Sequence, residues 1–338
     1  MKRLSIAEAL RETIRSEMRR DARVFCIGED IAIPGGCGGA FTVTLGLEKD
    51  FPDRMINTPI AENGFTGVAL GAALMGLRPI ADVQYGDFLY CAMDQMANQI
   101  PKMRYMSGGK LTVPLVMRVP VGVTGRGAQH SQSMETLFMP VAGLKLVCPA
   151  TAYDAVGLLR SAVRSDDPVM IFEHKKLYGS KGARAESGAV DASSEIPDED
   201  YTVPFGSAVV RREGEHVTVV ATLLMMHRSL QAAQRLAEEG LSVEVIDPRS
   251  LVPFDWATLK ASVAKTGRLV IVEENPKRSG IGAEIAATAA EEMLEHLVAP
   301  VRRVAAPNTP APFSPPMEEF YVPSVERIAA AVRATMAY

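Results

Sequence analysis

The sequence is short of the residues that announce several function classes. Its 338 residues include four cysteines, five histidines and one tryptophan, and aromatics make up only 6%. Cys26, Cys37, Cys91 and Cys148 are far apart and none pair as CxxC. That spacing argues against a disulfide framework or a zinc site and for reduced thiols, as in a cytoplasmic protein. No charge-free apolar run reaches the roughly 18 residues of a membrane span. The start, MKRLSIAEALRETIRSEMRRD, reads as a charged amphipathic helix; it lacks the apolar core of a secretory signal, and its four acidic residues weaken an import reading. Lys and Arg total 36 against 40 acidic residues, a net charge of -4, which argues against a dedicated nucleic-acid binder. There is no GxxxxGK[ST], no GxGxxG between a strand and a helix, no HExxH and no GxSxG elbow.

What remains is a globular composition, 47% hydrophobic and 22% charged. At a prior of ~150 residues per domain the length predicts about two domains. In the first half, apolar runs alternate with helical ones: VFCIG, LRPIADV, VPLVMRVP, LKLVCPA and PVMIFEH read as strands. Near-continuous apolar strands joined by helical crossovers predict a parallel sheet covered on both faces. Glu62 to Gly76 reads as a helix with an unusually small face, carrying Gly64, Gly67 and Gly71. Interior glycine costs ~1 kcal/mol relative to alanine, so such a face implies that a backbone or a ligand comes close. Asp87 to Met106 reads as mostly helical with a break at Pro101.

The run SKGARAESGAVDASSEIPDEDY is polar and poor in large apolar residues, and marks the crossing between domains. A second α/β unit follows, with HVTVVAT, LSVEVIDP and RLVIVEE as strands between helices. The expected division is a first domain over 1–185, a linker over 186–200 and a second domain over 201–338. The expected fold is two three-layer α/β/α domains with mostly parallel sheets.

Two residues stand out chemically. His130 lies in GRGAQHSQS, a glycine-rich loop at the carboxyl side of an apolar strand. Ligands bind at that edge in open α/β sheets, and an imidazole can exchange a proton there. Glu62 opens the small-faced helix, where a carboxylate either caps backbone donors or is held ready to share a proton with a bound heterocycle. SGIGAE at 279–284 admits two readings, an anion-binding helix N-terminus or tight strand–helix packing.

The run TPIAENGFTGVALGAALMGLRPIADVQYGDF, then GRGAQHSQS, then GLKLVCPATAYDAVGLLRSAVRSDDPVMIFEHKKLYG, resembles one family closely, and so do VEVIDPRSLVPFDW, VIVEE and NTPAPFSPPMEEFYVPS in the second half. It is similar to the beta subunit of the thiamine-diphosphate-dependent 2-oxo acid dehydrogenases, which serve pyruvate, branched-chain 2-oxo acids and acetoin. The resemblance implies a pyrimidine-binding transketolase-like domain followed by a transketolase C-terminal-like domain. It also implies an α2β2 heterotetramer with an alpha subunit, thiamine diphosphate shared between the chains, a 2-oxo acid substrate and acyl transfer to a lipoyl acyltransferase core. Glu62 matches the glutamate that contacts the aminopyrimidine N1′ and favours its imino tautomer. Gln84, Tyr85 and Phe88 fall in the stretch lining the aminopyrimidine pocket; relatives often carry tyrosine where Phe88 stands. His130 matches the histidine that orients substrate and lipoyl group. Asp167 matches part of a potassium site, although Ser165 replaces a carboxylate found in relatives. Pro101 is a further departure. The chain has no GDG motif for magnesium and diphosphate, which the family places in the alpha chain. The alternatives are an acetoin dehydrogenase beta subunit, a transketolase-like half-enzyme acting on sugar phosphates, and a non-catalytic scaffold. Retention of both Glu62 and His130 disfavours the scaffold.

Overall fold

A computed structural model describes residues 1–180 and 185–338. The four residues at 181–184, inside the polar crossing and at the end of the expected first domain, lie outside the described residues. The chain forms two compact units. One comprises Met1–Val121 with Leu137–Phe205, the other Gly122–Thr136 with Gly206–Tyr338. The second unit thus takes in the fifteen-residue segment that carries His130.

The first unit opens with a short strand, β1 (Lys2–Leu4), and a helix, α1 (Ile6–Arg20). Ser5 caps α1 in a reciprocal capping box with Glu8, which satisfies two backbone donors at once. Then follow β2 (Val24–Glu29), a helical turn α2 (Leu47–Asp50), β3 (Met55–Thr58), α3 (Glu62–Leu74), β4 (Arg78–Asp82), a turn α4 (Met103–Met106), β5 (Val116–Val121), a turn α5 (Glu135–Phe138), β6 (Lys145–Val147), α6 (Ala152–Arg164), β7 (Val169–His174) and β8 (Ser194–Ile196). Six of its strands lie in the order β6-β7-β5-β4-β2-β3, all parallel. Every residue of β2, β5 and β7 is buried, as strands covered on both faces must be.

The span Asp87 to Met106 is less regular than its pattern predicts. It begins with 3-10 turns over Gly86–Ala92, continues as a π-helical stretch over Asp94–Gln99 and ends in α4. Pro101 stands between the last two. Its missing N–H and its ring stop the helix from running through.

The polar crossing is ordered where it is described. β8 pairs antiparallel with β1, Lys2 opposite Ile196. Arg3 Nε donates to Ser193 Oγ at 2.8 Å, and Arg3 Nη2 lies 3.2 Å from Asp191. Residues of the expected linker therefore extend the first unit as an edge ribbon.

The second unit contains β9 (Val209–Arg212), β10 (Val217–Ala221), α7 (Leu223–Ala237), β11 (Val243–Asp247), a three-residue strand β12 (Ser250–Val252), α8 (Trp256–Thr266), β13 (Leu269–Pro276), α9 (Ile281–Glu292), β14 (Arg302–Ala306), α10 (Pro315–Tyr321) and α11 (Val325–Met336). Its sheet has the order β14-β13-β10-β11-β9, with only β9 antiparallel. The sequence pattern finds β10, β11 and β13, whose apolar runs are continuous. It does not mark β9, an edge strand whose residues are all half-buried. Helices α7 and α11 pack on each other and on the sheet, while α8 and α9 pack on β10 and β13. Both units are thus α/β with mostly parallel sheets.

SGIGAE resolves to the packing alternative. The N-terminal end of α9 already holds an anion of its own chain: Gly282 N donates to Glu273 Oε2 at 3.1 Å. A Cβ on Gly280 or Gly282 would come within 2.3 or 2.7 Å of the Glu273 carboxylate. None of the four cysteines forms a disulfide. Among the described residues, no helix is long and apolar enough to cross a membrane.

Candidate active site

The first unit assembles its candidate groups at the carboxyl ends of β2 and β4. Glu62 is the first residue of α3, with Ala61 as the N-cap and no side-chain cap. A carboxylate in the first turn is favoured by the helix dipole. Glu62 is buried, at 8% exposure, and its backbone carbonyl accepts from Thr66 Oγ1 at 2.6 Å. The N–H of Ala61 is taken by a second carboxylate, Glu29 Oε1, at 3.2 Å. Glu29 ends β2 and is buried. Burial pushes its carboxyl up to about 7, and the neighbouring Glu62 charge raises it further, against the Ala61 N–H that lowers it. Two buried carboxylates at one helix start, one of them holding its proton near neutrality, can pass or share a proton with a bound group.

Gln84 follows β4. Its amide donates to Asp30 Oδ2 at 2.9 Å and to the Glu29 carbonyl at 3.4 Å. Asp30 holds a left-handed backbone, φ 57°, which asparagine and aspartate tolerate better than most residues. Beside Gln84 runs an aromatic row. Phe41 meets Tyr85 edge-on at 5.7 Å, Tyr85 meets Phe88 edge-on at 5.5 Å, and Phe41 stacks on Tyr178 at 5.0 Å. Tyr85 is buried in this row, with the Lys175 ammonium 5.0 Å above its ring. Phe88 is half-buried at the row's end. Edge-to-face packing of this kind fixes ring orientation. The small face of α3 has uneven neighbours. A Cβ on Gly67 would meet the Gln95 side chain at 3.6 Å, whereas one on Gly71 would meet nothing within 4 Å.

Below these groups lies a charged cluster that the sequence reading passes over. Arg118 on β5 is fully buried, donating to Glu173 on β7 at 3.0 and 2.6 Å and to Asp82 on β4. Tyr178 Oη donates to Glu173 at 2.6 Å. Burial raises the Asp82 carboxyl to about 6 despite the guanidinium. The signal was available: VMRVP, PIAD and IFEH each set a charged residue into an apolar strand, and the parallel register puts Asp82 opposite Arg118 and Glu173 two residues beyond Arg118's partner Ile171, on the same face. Glu29, the last residue of its strand, carries the same signal.

Asp167 is engaged elsewhere. Its carboxylate accepts from Lys145 at 2.8 Å and from Arg104. These two cations hold it below the ordinary carboxylate range, against its partial burial. A potassium ion bound through Asp167 would share its carboxylate with these two cations.

His130 is in the second unit, half-buried, with its N–H donating to the Gly127 carbonyl at 3.3 Å. Ser131 Oγ is buried and makes no hydrogen bond, so it does not fix the imidazole, and Gln129 is exposed. Glu62, Gln84, Tyr85 and Phe88 are therefore grouped in one unit, and His130 is presented by the other.

The family models divide the chain by sequence instead, and the first match spans both Glu62 and His130. Residues 2–181 match the family model described as transketolase, pyrimidine binding domain, and residues 206–328 match transketolase, C-terminal domain. The chain is 44% identical to the acetoin:2,6-dichlorophenolindophenol oxidoreductase subunit beta of Cupriavidus necator, over 99% of this chain and 98% of the relative. It is 41% identical to the 2-oxoisovalerate dehydrogenase subunit beta of Bacillus subtilis, over 98% of each chain. It is also 41% identical to the pyruvate dehydrogenase E1 component subunit beta of the same organism, over 93% of each. A solved structure described as a split-gene transketolase, inactive beta4 tetramer, shares the fold, with a TM-score of 0.78 and 24% identity over 99% of this chain and 98% of its own. With two transketolase-type α/β domains in order and such relatives along its full length, the chain belongs to the beta subunits of the thiamine-diphosphate-dependent 2-oxo acid and acetoin dehydrogenases.

Proposed function

We propose that this chain is the beta half of a decarboxylating dehydrogenase that acts on a small 2-oxo acid and passes the acyl group to a lipoyl acyltransferase core. The reading rests on one observation above the others, the buried Glu62 at the start of α3 with Glu29 behind it. Thiamine diphosphate fits these residues: a buried carboxylate suits a ring nitrogen that carries a proton, Gln84 offers an amide, and Phe88 offers a ring face. When bound, the cofactor supplies the carbanion and the electron sink that decarboxylation of a 2-oxo acid needs.

The chain's own residues supply binding and proton control. Glu62 holds a proton at the aminopyrimidine N1′. Glu29 sets the charge behind it, because two carboxylates so close resist ionising together. Phe88 and the aromatic row shape the pocket wall and exclude water from the bond-breaking step. His130, half-buried in its loop, serves as the proton donor and orienting group for substrate and lipoyl thiol.

The sequence has no GDG, so magnesium and diphosphate fall to an alpha subunit in an α2β2 assembly. Octahedral magnesium needs oxygen ligands placed closely around it. The substrate class is a small 2-oxo acid, pyruvate or a branched-chain acid. Acetoin is the second reading, since two acetoin oxidoreductase beta subunits are among the relatives, at 44% and 42% identity. A methylene difference is worth only about 1–3 kcal/mol in a pocket, so overall identity does not choose among these. The test is a substrate panel on the enzyme reconstituted with its alpha chain, read with an artificial electron acceptor and then with a lipoyl domain. Turnover of one 2-oxo acid with lipoyl acylation supports the reading. Turnover of sugar phosphates alone contradicts it.

A further inference from the structure

Two sequence runs have no task in the site just described: VIVEEN on β13 and SPPMEEF on α10. Both converge on the loop that carries His130. Gly122 N–H donates to the Gln132 carbonyl at 3.5 Å and closes the neck of the loop. Inside the neck, Val123 N–H donates to Glu274 Oε1 at 2.7 Å, and Gly125 N–H donates to Glu318 Oε1 at 2.7 Å. On the far side of the histidine, Asn275 Nδ2 donates to the Ser133 carbonyl at 2.9 Å and to Glu135 Oε2 at 3.3 Å. Glu274, Asn275, Glu318 and Glu135 are all buried.

The loop needs outside anchors. Gly122, Gly125 and Gly127 take left-handed backbones, with φ of 94°, 72° and 78°. Glycine at such positions leaves a wide choice of conformations open. Nor does the loop pair as a strand, so its backbone donors need other acceptors. A buried carboxylate is a costly acceptor, and short bonds to backbone N–H groups are the form in which that cost is offset. Phe313 closes the remaining side, since a Cβ on Gly127 would meet its ring at 3.3 Å.

We propose that Glu274, Asn275 and Glu318 are positioning residues whose task is to fix the backbone on both sides of His130. This gives the end of β13 and helix α10 a function: they hold the histidine at one place for the incoming substrate and lipoyl group. The functional half of the proposal rests on the role given to His130. The anchoring half stands on the contacts alone.

The test is hydrogen–deuterium exchange on the full-length chain, with Glu274→Ala, Glu318→Ala and Glu318→Gln. Loss of a charge-assisted bond predicts about tenfold faster exchange or more at Val123 in the first variant and at Gly125 in the second. Glu318→Gln keeps an acceptor oxygen and restores most of the protection. Amides of β10 and β11 keep their wild-type rates. Unchanged loop exchange, a glutamine variant as fast as the alanine one, or an equal rise in β10 and β11 overturns the anchoring. In the enzyme assembled with its alpha chain, lipoyl acylation falls in Glu318→Ala and recovers in Glu318→Gln. A loosened loop with wild-type acylation overturns the positioning role. His130→Ala is the separate control: if it acylates normally, the role of His130 fails, while the exchange data still decide the anchoring.

Discussion

Glu29 Oε1 accepts the N–H of Ala61 at 3.2 Å, which sets one buried carboxylate behind the residue that starts the next, Glu62. The strand β2 and the helix α3 thus meet through a carboxylate, and the meeting point is where the cofactor's proton chemistry is expected. Burial first, and the Glu62 charge second, hold the Glu29 carboxyl near 7.

This has a pH consequence. The folded value lies above the ordinary 4.5, so the folded chain binds more protons than the unfolded chain between those values. Stability from this group is therefore full below 4.5 and is lost as pH rises through about 7. Glu29→Gln, which stays neutral, is expected to melt higher than wild type at pH 8, by a few degrees or roughly 1 kcal/mol, with the difference gone at pH 5. Thermal melts of both proteins across that range check it. A gain that grows on acidification reverses the sign and removes the argument.

Glu62→Gln tests the proton role directly. An amide cannot hold N1′ protonated as a carboxylate does. In the assembled enzyme, exchange of the cofactor's C2 proton is expected to slow by about 10² or more. NMR after rapid quench measures it. Normal exchange in this variant takes the role away from Glu62.

Arg118 balances two buried carboxylates and is itself fully buried. Arg118→Met leaves Asp82 and Glu173 without their cation, and a loss of ~3–5 kcal/mol is expected. The triple change with Asp82→Asn and Glu173→Gln removes the stranded charges and recovers part of it. Denaturant melts of the two variants decide whether the cluster acts as a unit; equal stabilities in both argue that it does not.

How much of this was legible without coordinates varied with the physics of each element. Continuous apolar runs gave β5, β7, β10 and β13, because strands buried on both faces carry that pattern and little else matches it. α1 was legible as a charged amphipathic run, while its Ser5–Glu8 capping box, a local signal complete within four residues, went unread. The edge strand β9 was silent, since half-buried residues follow no strict alternation. Glu62 and His130 were singled out as candidates through motifs and loop context. Glu29, Arg118 and Glu318 were not. Each acts through a partner far away in the chain, and a lone charge in a strand or a tail does not name its partner. The allocation of residues 122–136 to the second unit was hidden for the same reason: the segment follows β5 in sequence, but its hydrogen bonds run to β13 and α10.

The central claim is that this chain holds one half of a shared active site. The most direct measurement is thiamine-diphosphate-dependent decarboxylation by the purified chain, with and without its alpha partner, at equal protein concentration and with magnesium in excess. No turnover alone and robust turnover on adding the alpha chain is the expected result. Robust turnover by the isolated chain contradicts the account.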